Sequence, residues 1–277
     1  IIMSNIKIYV DSCSSITKEL IAEYDIKVIS NYFYLNDEEV DPLTLENIDD
    51  FCEKLNSNNK VKTSCINPYD YQEAFKGDLK IGNKILYISL SSGLSANYQN
   101  AIIASDNNEN IAIFDSKTGS VGILIYLLKA IELNKKNLSL KEIVDELNNI
   151  KISSHFTIGS LDHLYKGGRL SKSEVIVGNI LRLKPIVSAN EVGKLKINGI
   201  HLGKKKAIDG LCKLFFNEHL NNDVYIAYTN NPDELEILKN KLLKENNNLN
   251  IYTYQIDPTM LCHCGPKTIA IFYEKKC

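Results

Sequence analysis

The first half of the sequence repeats one local pattern, in which an apolar strand leads into a hydroxyl-rich turn and then into a helix. The turns occupy residues 11–15, 91–95 and 115–120. This alternation predicts a parallel sheet covered by helices. Because the turns that follow parallel strands gather at one edge of the sheet, we expect their hydroxyl groups to face a common crevice. The residues expected there are Ser12, Thr63, Ser95 and Ser116.

The second half adds antiparallel pairing to this alternation. A turn at Glu191-Val192-Gly193 joins the strands predicted at 184–189 and 194–198, which is typical of a hairpin. A chain of 277 residues also exceeds the usual size of a single domain. We therefore predict two α/β domains. The N-terminal domain, residues 1–151, has an open, mainly parallel sheet, and the C-terminal domain, residues 152–277, has a mixed or antiparallel sheet with helices.

Composition and short motifs exclude several classes of partner. The formal net charge is −2 and Lys and Arg are scattered, which argues against nucleic-acid binding. No apolar run is long enough to span a bilayer, and the first residues lack the features of a signal peptide, so we expect a cytoplasmic protein without stable membrane insertion. The glycine-rich dinucleotide fingerprint and the P-loop are both missing, so the sequence predicts no nucleotide cofactor.

The seven cysteines are odd in number and irregularly spaced, which indicates free thiols rather than a disulfide framework. Cys262-His263-Cys264 has the residue types of a metal site. A structural zinc ion needs four ligands, however, and no second Cys-x-x-Cys or His pair completes the set. We therefore expect no bound metal.

Three features of the sequence suit an anion. The turn at Ser91–Ser95 precedes a helix whose first N–H groups lack partners, so a phosphate or a carboxylate is stabilised there. Gly167-Gly168-Arg169 is a tight turn that presents a guanidinium, which pairs with either anion. His263 precedes a Gly-Pro turn and carries an imidazole that titrates near neutral pH. Each feature also has a purely structural interpretation: a helix cap, an exposed arginine and a satisfied histidine.

A hydrolase is the alternative function. Gly93-Leu94-Ser95-Ala96-Asn97 is similar to the nucleophile elbow Gly-x-Ser-x-Gly, which also lies between a strand and a helix. The chain order of Ser95, an acidic residue and His263 fits as well. The final glycine is missing, however, and no glycine-rich oxyanion motif precedes the turn. A serine hydrolase or esterase that uses Ser95 and His263 stays open at this point.

Seven motifs, each weak by itself, follow one another along the chain. They are Asp11-Ser12; Thr63-Ser64 in a loop before Pro68; Ser91-Ser92-Gly93-Leu94-Ser95 with Tyr98-Gln99; Asp115-Ser116 with Gly122; Leu161 with Gly167-Gly168-Arg169-Leu170-Ser171; Lys184-Pro185; and His263 with Gly265. In order and spacing this set resembles the DegV family over nearly the whole chain. Members of that family are bacterial fatty-acid-binding proteins. They include the subunit of fatty acid kinase that holds an acyl chain while its partner kinase phosphorylates the carboxylate with ATP.

The resemblance implies a carrier rather than an enzyme. Its ligand would be a long-chain fatty acid, its partner the ATP-binding subunit of fatty acid kinase, and it would need no cofactor. The acyl tail would be buried in the C-terminal domain, and the carboxylate would be held at the interface between the domains.

The resemblance also assigns roles to residues. The carboxylate would be held by Thr63, Ser95 and His263. Residues near the pocket mouth or the partner contact would be Arg169, Ser64 and Ser92. The tail pocket would be lined by Leu161, Leu164, Ile176, Ile180, Ile186 and Met260, of which Ile176 and Ile180 belong to an apolar helix predicted at 175–183.

Three positions depart from the family pattern. Cys65-Ile66 stands where members usually have Gln-Pro, His201 stands near a usual arginine, and Lys267 replaces a usual glycine. The last two change the charge and the backbone freedom near the edge that would face the kinase. The resemblance therefore speaks for the ligand class more directly than for the partner.

Overall fold

Two large sheets and one small sheet organise the computed structural model, which describes residues 5–45, 47–57, 59–171 and 183–276. The strands are β1 (Ile6–Asp11), β2 (Lys27–Ile29), β3 (Tyr32–Leu35), β4 (Glu38–Glu39), β5 (Val61–Ser64), β6 (Lys84–Ser89), β7 (Ile111–Asp115), β8 (Ile152–Thr157), β9 (Leu183–Ala189), β10 (Leu195–Leu202), β11 (Asp223–Tyr228), β12 (Asn250–Gln255) and β13 (Ile269–Glu274). The α-helices are α1 (Lys18–Tyr24), α2 (Ile48–Asn56), α3 (Pro68–Lys80), α4 (Asn97–Ser105), α5 (Val121–Lys135), α6 (Leu140–Asn148), α7 (Asp162–Lys166), α8 (Lys204–Glu218), α9 (Pro232–Glu245) and α10 (Pro258–Cys264).

The first large sheet is entirely parallel and has the strand order β2-β1-β6-β7. Helices α3 and α4 cover one face through an aromatic cluster that includes Tyr71 and Tyr87. Helices α5 and α6 cover the other face, where Leu86 and Ile88 of β6 are buried. The predicted parallel sheet with helices is therefore confirmed.

The second large sheet is mixed and has the strand order β10-β9-β8-β13-β11-β12. Only β11 and β12 pair in parallel among these six strands, and the predicted hairpin is the antiparallel pair β9 and β10. Helices α8 and α9 cover one face, where Ile208, Phe215 and Leu238 pack against the strands. The predicted mixed sheet is confirmed.

Helix α5 lies between the two large sheets. It contacts β1 and β6 on one side and β8 and β13 on the other. A helix that is covered all round needs apolar residues all round, which explains the unbroken sequence Val121-Gly122-Ile123-Leu124 at its start. Because α5 joins both sheets into one hydrophobic core, the division of the chain at residue 151 stays a prediction.

The small sheet is antiparallel, with the order β4-β3-β5, and it corrects one prediction. Thr63 and Ser64 were predicted in a loop but end β5. Of the residues in β3, only Phe33 is buried, so the apolar pattern of this strand is weak. Its pairing of Phe33 with Thr63 depends on a contact between distant segments, which local patterns do not report.

Helix boundaries follow the capping residues. Thr17 accepts a hydrogen bond from the Leu20 N–H, and Ser139 forms a capping box with Glu142, so α1 and α6 begin directly after these residues. The helix predicted at 175–183 falls outside the described residues, and Ile176 and Ile180 fall there with it. Within the described part of the chain, the helices are too short or too polar to cross a membrane.

Candidate functional site

A cavity lies between the carboxyl edge of the first sheet and the inner face of the second. The empty space in and around it, open solvent at its mouth included, is about 900 Å³. The residues of its polar end are Thr63, Ser64, Ser95, Arg169 and His263. The residues of its apolar end are Phe156, Ala189, Leu195, Ala270 and Phe272. The lining also includes Leu90 and Gly119 from the first half of the chain, so the cavity is not confined to the C-terminal half.

The three predicted carboxylate ligands all line the polar end. Thr63 comes from β5, Ser95 from the turn before α4 and His263 from α10. The Oγ1 atom of Thr63 lies 2.8 Å from Nε2 of His263, which is hydrogen-bond distance. The structure therefore brings these side chains together, and their role as carboxylate ligands stays a prediction.

His263 is an uncharged group at neutral pH. Burial, together with the positive charge of Arg169 and the proximity of His163, lowers the pKa of His263 to about 4. Its ring then carries one N–H donor and one acceptor nitrogen. The positive charge available to a bound anion is therefore that of the Arg169 guanidinium.

His263 packs directly on the backbone of Gly167. A β-carbon at this glycine would lie 2.6 Å from Nδ1 of His263, which is too close for any side chain. The next residue, Gly168, has a φ of +73°, the left-handed region in which glycine is favoured. The two glycines of the Gly-Gly-Arg motif therefore meet different constraints, close packing at the first and backbone conformation at the second.

Arg169 ties this turn to the serine turn across the cavity. Its Nε donates to the carbonyl oxygen of Leu94 at 3.1 Å, and its guanidinium also donates to the Gly167 carbonyl. Leu94 directly precedes Ser95. Arg169 thus lies at the polar end, with its orientation fixed by two backbone acceptors, and its role at the pocket mouth or the partner contact stays a prediction.

Ser95 is held by Asn97, which sequence reasoning missed. The Ser95 Oγ donates to Oδ1 of Asn97 at 3.1 Å and accepts from the Asn97 N–H at 3.2 Å. Oδ1 of Asn97 also accepts from the Ile66 N–H at 3.2 Å. Nδ2 of Asn97 donates to Asp11 at 3.2 Å and to Asn31 at 3.3 Å. This fully buried amide therefore connects the last residue of β1 with the segments that follow β2, β5 and β6.

Asp11 holds these turns in place through hydrogen bonds and lies outside the cavity lining. Its carboxylate accepts from the Leu90 N–H at 3.0 Å, the Cys13 N–H at 3.0 Å and the Tyr87 hydroxyl at 3.1 Å. Complete burial raises the pKa of Asp11, and the hydrogen bonds it accepts oppose that rise. The Asp-Ser motif after β1 therefore positions other residues and does not itself line the cavity.

The hydroxyl residues divide into two groups. Thr63, Ser64 and Ser95 line the polar end. Ser12 is buried against Thr259, with 3.3 Å between the hydroxyl oxygens, and the buried Ser116 donates to the Thr118 carbonyl. The single crevice expected for all four strand-end hydroxyls is therefore only partly formed.

Ser92 does not belong to the cavity. It is exposed, and its Oγ donates to Oδ2 of Asp115 at 2.6 Å, which joins the turns after β6 and β7. Its predicted place near the pocket mouth stays a prediction. Contact of Ser92 with a partner stays a prediction.

The predicted tail residues also divide. Leu164 and Met260 line the cavity, whereas Leu161 is buried in the core beside it. Ile186 was predicted wrongly, because it packs with Ile208 on the opposite face of the second sheet. Side chains alternate along a strand, so Ala189 faces the cavity and Ile186 faces α8.

Sequence reasoning missed Phe156, Ala270 and Phe272, which form much of the apolar end. β13 has the sequence IAIFYE and is buried on both faces, so its apolar pattern has no alternation that marks the inner side. The face of β13 that lines the cavity is recognised only in the paired sheet, where Ala270 lies opposite Phe156 of β8.

The site does not have the arrangement of a serine hydrolase. In that arrangement the serine hydroxyl bonds to the histidine that activates it. Among the described hydrogen bonds, Ser95 pairs with Asn97 and His263 pairs with Thr63. The lowered pKa of His263 also makes it a weak base. The geometry therefore does not favour the hydrolase alternative.

The fold and this cavity define a class: an α/β protein of two packed sheets, with an apolar chamber between them that ends in hydroxyls, an imidazole and an arginine. A family model described as "Uncharacterised protein, DegV family" matches residues 5–276. The chain belongs to the DegV family.

Individual relatives agree with that membership. A DegV domain-containing protein of Clostridium perfringens is 30% identical over 282 residues, which cover 99% of this chain and 100% of the relative. A fatty-acid-binding DegV family protein of Thermus thermophilus has a similar structure, with a TM-score of 0.88, 22% identity and coverage of 97% of this chain and 99% of that one. The Streptococcus pneumoniae fatty acid kinase B3 protein loaded with linoleic acid superposes with a TM-score of 0.82, 20% identity and coverage of 98% and 99%.

Proposed function

We propose that this protein binds a long-chain fatty acid. The carboxylate lies at the polar end, on Thr63, Ser95 and His263 beside Arg169, and the tail extends toward the apolar end. The observation that carries this proposal is the joining of both ends in one cavity. The fatty acids named for the Thermus thermophilus and Streptococcus pneumoniae relatives support the same ligand class.

The energetics favour such an amphipathic ligand. Each buried methylene of the tail contributes about 0.8 kcal/mol. The carboxylate accepts hydrogen bonds from the hydroxyls and from the neutral imidazole, and the nearby guanidinium balances its charge. No cofactor is needed for this binding.

We further propose that the bound acid is presented to the ATP-binding subunit of a fatty acid kinase. The relation to a Streptococcus pneumoniae protein of a fatty acid kinase supports this role. The exposure of Ser64 at the polar end agrees with access to the carboxylate from outside. Incubation of the loaded protein with such a subunit and ATP should yield an acyl phosphate, and recovery of unchanged acid would refute the carrier role.

Native mass spectrometry of gently purified protein tests the binding itself. We expect a bound fatty acid, or uptake of added palmitic or oleic acid by the empty protein. Ser95→Ala should lower the affinity by about tenfold without unfolding the protein, since it removes one hydrogen bond to a charged group. An empty protein that takes up no added fatty acid would refute the proposal.

A further inference from the structure

The apolar end of the cavity has a defined last row. In the register of the second sheet, Ala270 is opposite Phe156, and two residues further on Phe272 is opposite Ser154. In the neighbouring antiparallel pair, Ser188 lies opposite His155, so the next residue, Ala189, lies opposite Ser154 and belongs to the second row. Successive inward rows are about 7 Å apart along the strands.

The second row is the one farther from the polar end. The hydroxyl of Thr268, which precedes β13, donates to the carbonyls of Cys264 and Gly265. The start of β13 is therefore fixed beside the end of α10, where His263 lies. Phe272 and Ala189 lie farther along the sheet, so a tail that starts at His263 reaches their row last.

A second, polar cleft begins where the apolar end stops. Its lining includes charged residues from both halves of the chain: Asp115, Lys117, Lys151, Glu191 and Lys275. Ala189 is the one described residue that lines both spaces. Ala189 therefore lies between the apolar chamber and the charged cleft at this point.

We infer that Ala189 sets the longest acyl chain that this protein accepts. The inference rests on the proposed fatty-acid binding and deepens it to chain-length specificity. Methylenes up to this row contact mainly apolar side chains, with Ser154 as the polar member of the last row. A methylene beyond it would enter the second cleft, where it would displace water from charged groups such as Lys117 and Glu191.

The small size of Ala189 is part of this role. Ala189 is half-buried and lines the chamber, so we expect a larger side chain at this position to extend into that space. Ala189→Leu therefore shortens the chamber and should exclude the last methylenes of a long tail. Each excluded methylene should lower the affinity about fourfold.

The experiment compares dissociation constants for saturated acids from decanoic to octadecanoic acid. In Ala189→Leu, the longest acids bound by the wild type should weaken by at least about tenfold, and the shortest should stay within about twofold. Ala189→Val adds less volume and suits a strand, so it should give a smaller shift of the same kind. The control is Ala112→Leu in β7, a half-buried strand alanine that lines neither space and should leave the length profile unchanged.

The outcomes separate the two proposals. A wild type that binds fatty acids with a profile that neither Ala189 variant moves would overturn the inference alone. An equal loss at every chain length would overturn it as well, because it would indicate general damage. Failure of the wild type to bind any acid in the series would overturn the proposed function and this inference with it.

Discussion

The two ends of the cavity are built by different means. The polar end consists of side chains from a strand end, turns and a helix end, several of them held by hydrogen bonds such as that between Thr63 and His263. The apolar end consists of the inward faces of β8, β9 and β13. There the fit of a ligand depends on the shape and volume of the space rather than on one hydrogen bond. A change at the polar end should therefore affect fatty acids of every length alike, whereas a change at the apolar end should select among lengths.

The largest effect is expected from Asn97→Ala, which tests whether the polar end depends on one buried amide. Its removal leaves buried groups on Asp11 and Ile66 without their partner, so the free energy of unfolding should fall by about 3 kcal/mol. Affinity should fall by at least about tenfold at every chain length, because Ser95 loses its support. Urea unfolding and fatty-acid titration measure the two effects.

Asn100→Ala is the matched control for that change. Asn100 is half-buried and donates to the Ile66 carbonyl at 2.8 Å, but it does not contact Ser95. We expect a loss of about 1 kcal/mol of stability with little change in affinity. If both variants weakened binding equally, the special role of Asn97 would be ruled out.

An intermediate effect is expected from Gly167→Ala. The added β-carbon would lie 2.6 Å from Nδ1 of His263, so the imidazole must move away from Thr63. Affinity should fall by about tenfold, again without selection for chain length.

Gly168→Ala is the control for that change. Because Gly168 has a φ of +73°, alanine at this position should cost about 1 kcal/mol of stability. No atom lies within 4 Å of the added β-carbon, so the affinity should stay at the wild-type value. A Gly167 variant with wild-type affinity would show that the His263 position is unimportant.

The smallest effect is on pH dependence, and it concerns folding rather than binding. The pKa of His263 falls from 6.5 to about 4 on folding, so between these values the unfolded chain binds more protons. The contribution of the neutral histidine is complete above pH 6.5 and is lost as the pH falls toward 4. Affinity near neutral pH should not follow this titration, because His263 is uncharged there.

Unfolding of the wild type and of His263→Gln across this pH range isolates the effect. Burial raises the pKa of Asp257 to about 7, which gives a pH dependence of opposite sign, and that contribution cancels in the difference between the two proteins. The wild type should lose stability relative to the variant as the pH falls. Parallel curves would contradict the assigned ionisation of His263.

The residues that meet at the polar end come from short motifs that are visible in the sequence. Ser95 and Arg169 lie in turns with recognisable glycines and hydroxyl residues, and His263 lies near the end of a helix just before Gly265-Pro266. Asn97 lies in the same stretch but was missed, because its importance comes from Asp11, Asn31 and Ile66, which follow three other strands. Local pattern identifies the type of turn and cannot identify which distant groups it contacts.

The apolar end was predicted less well, for a geometric reason. Neighbouring residues of a strand face opposite sides of the sheet, so an error of one residue assigns a side chain to the wrong side. Ile186 was assigned to the wrong side in this way, and Ala189 was not noticed. In β13 both faces are apolar, so no alternation could correct the error.

The sequence by itself determined the class of fold and the short motifs whose residues meet at the polar end of the cavity. Alternating strands and helices require layered sheets, and hydroxyl-rich turns must lie at strand ends. The tertiary structure alone decided which side chains meet and which face of each strand lines the chamber. Those relations arise from strand register and from packing between segments far apart in the chain, and neither is encoded in any short stretch of it.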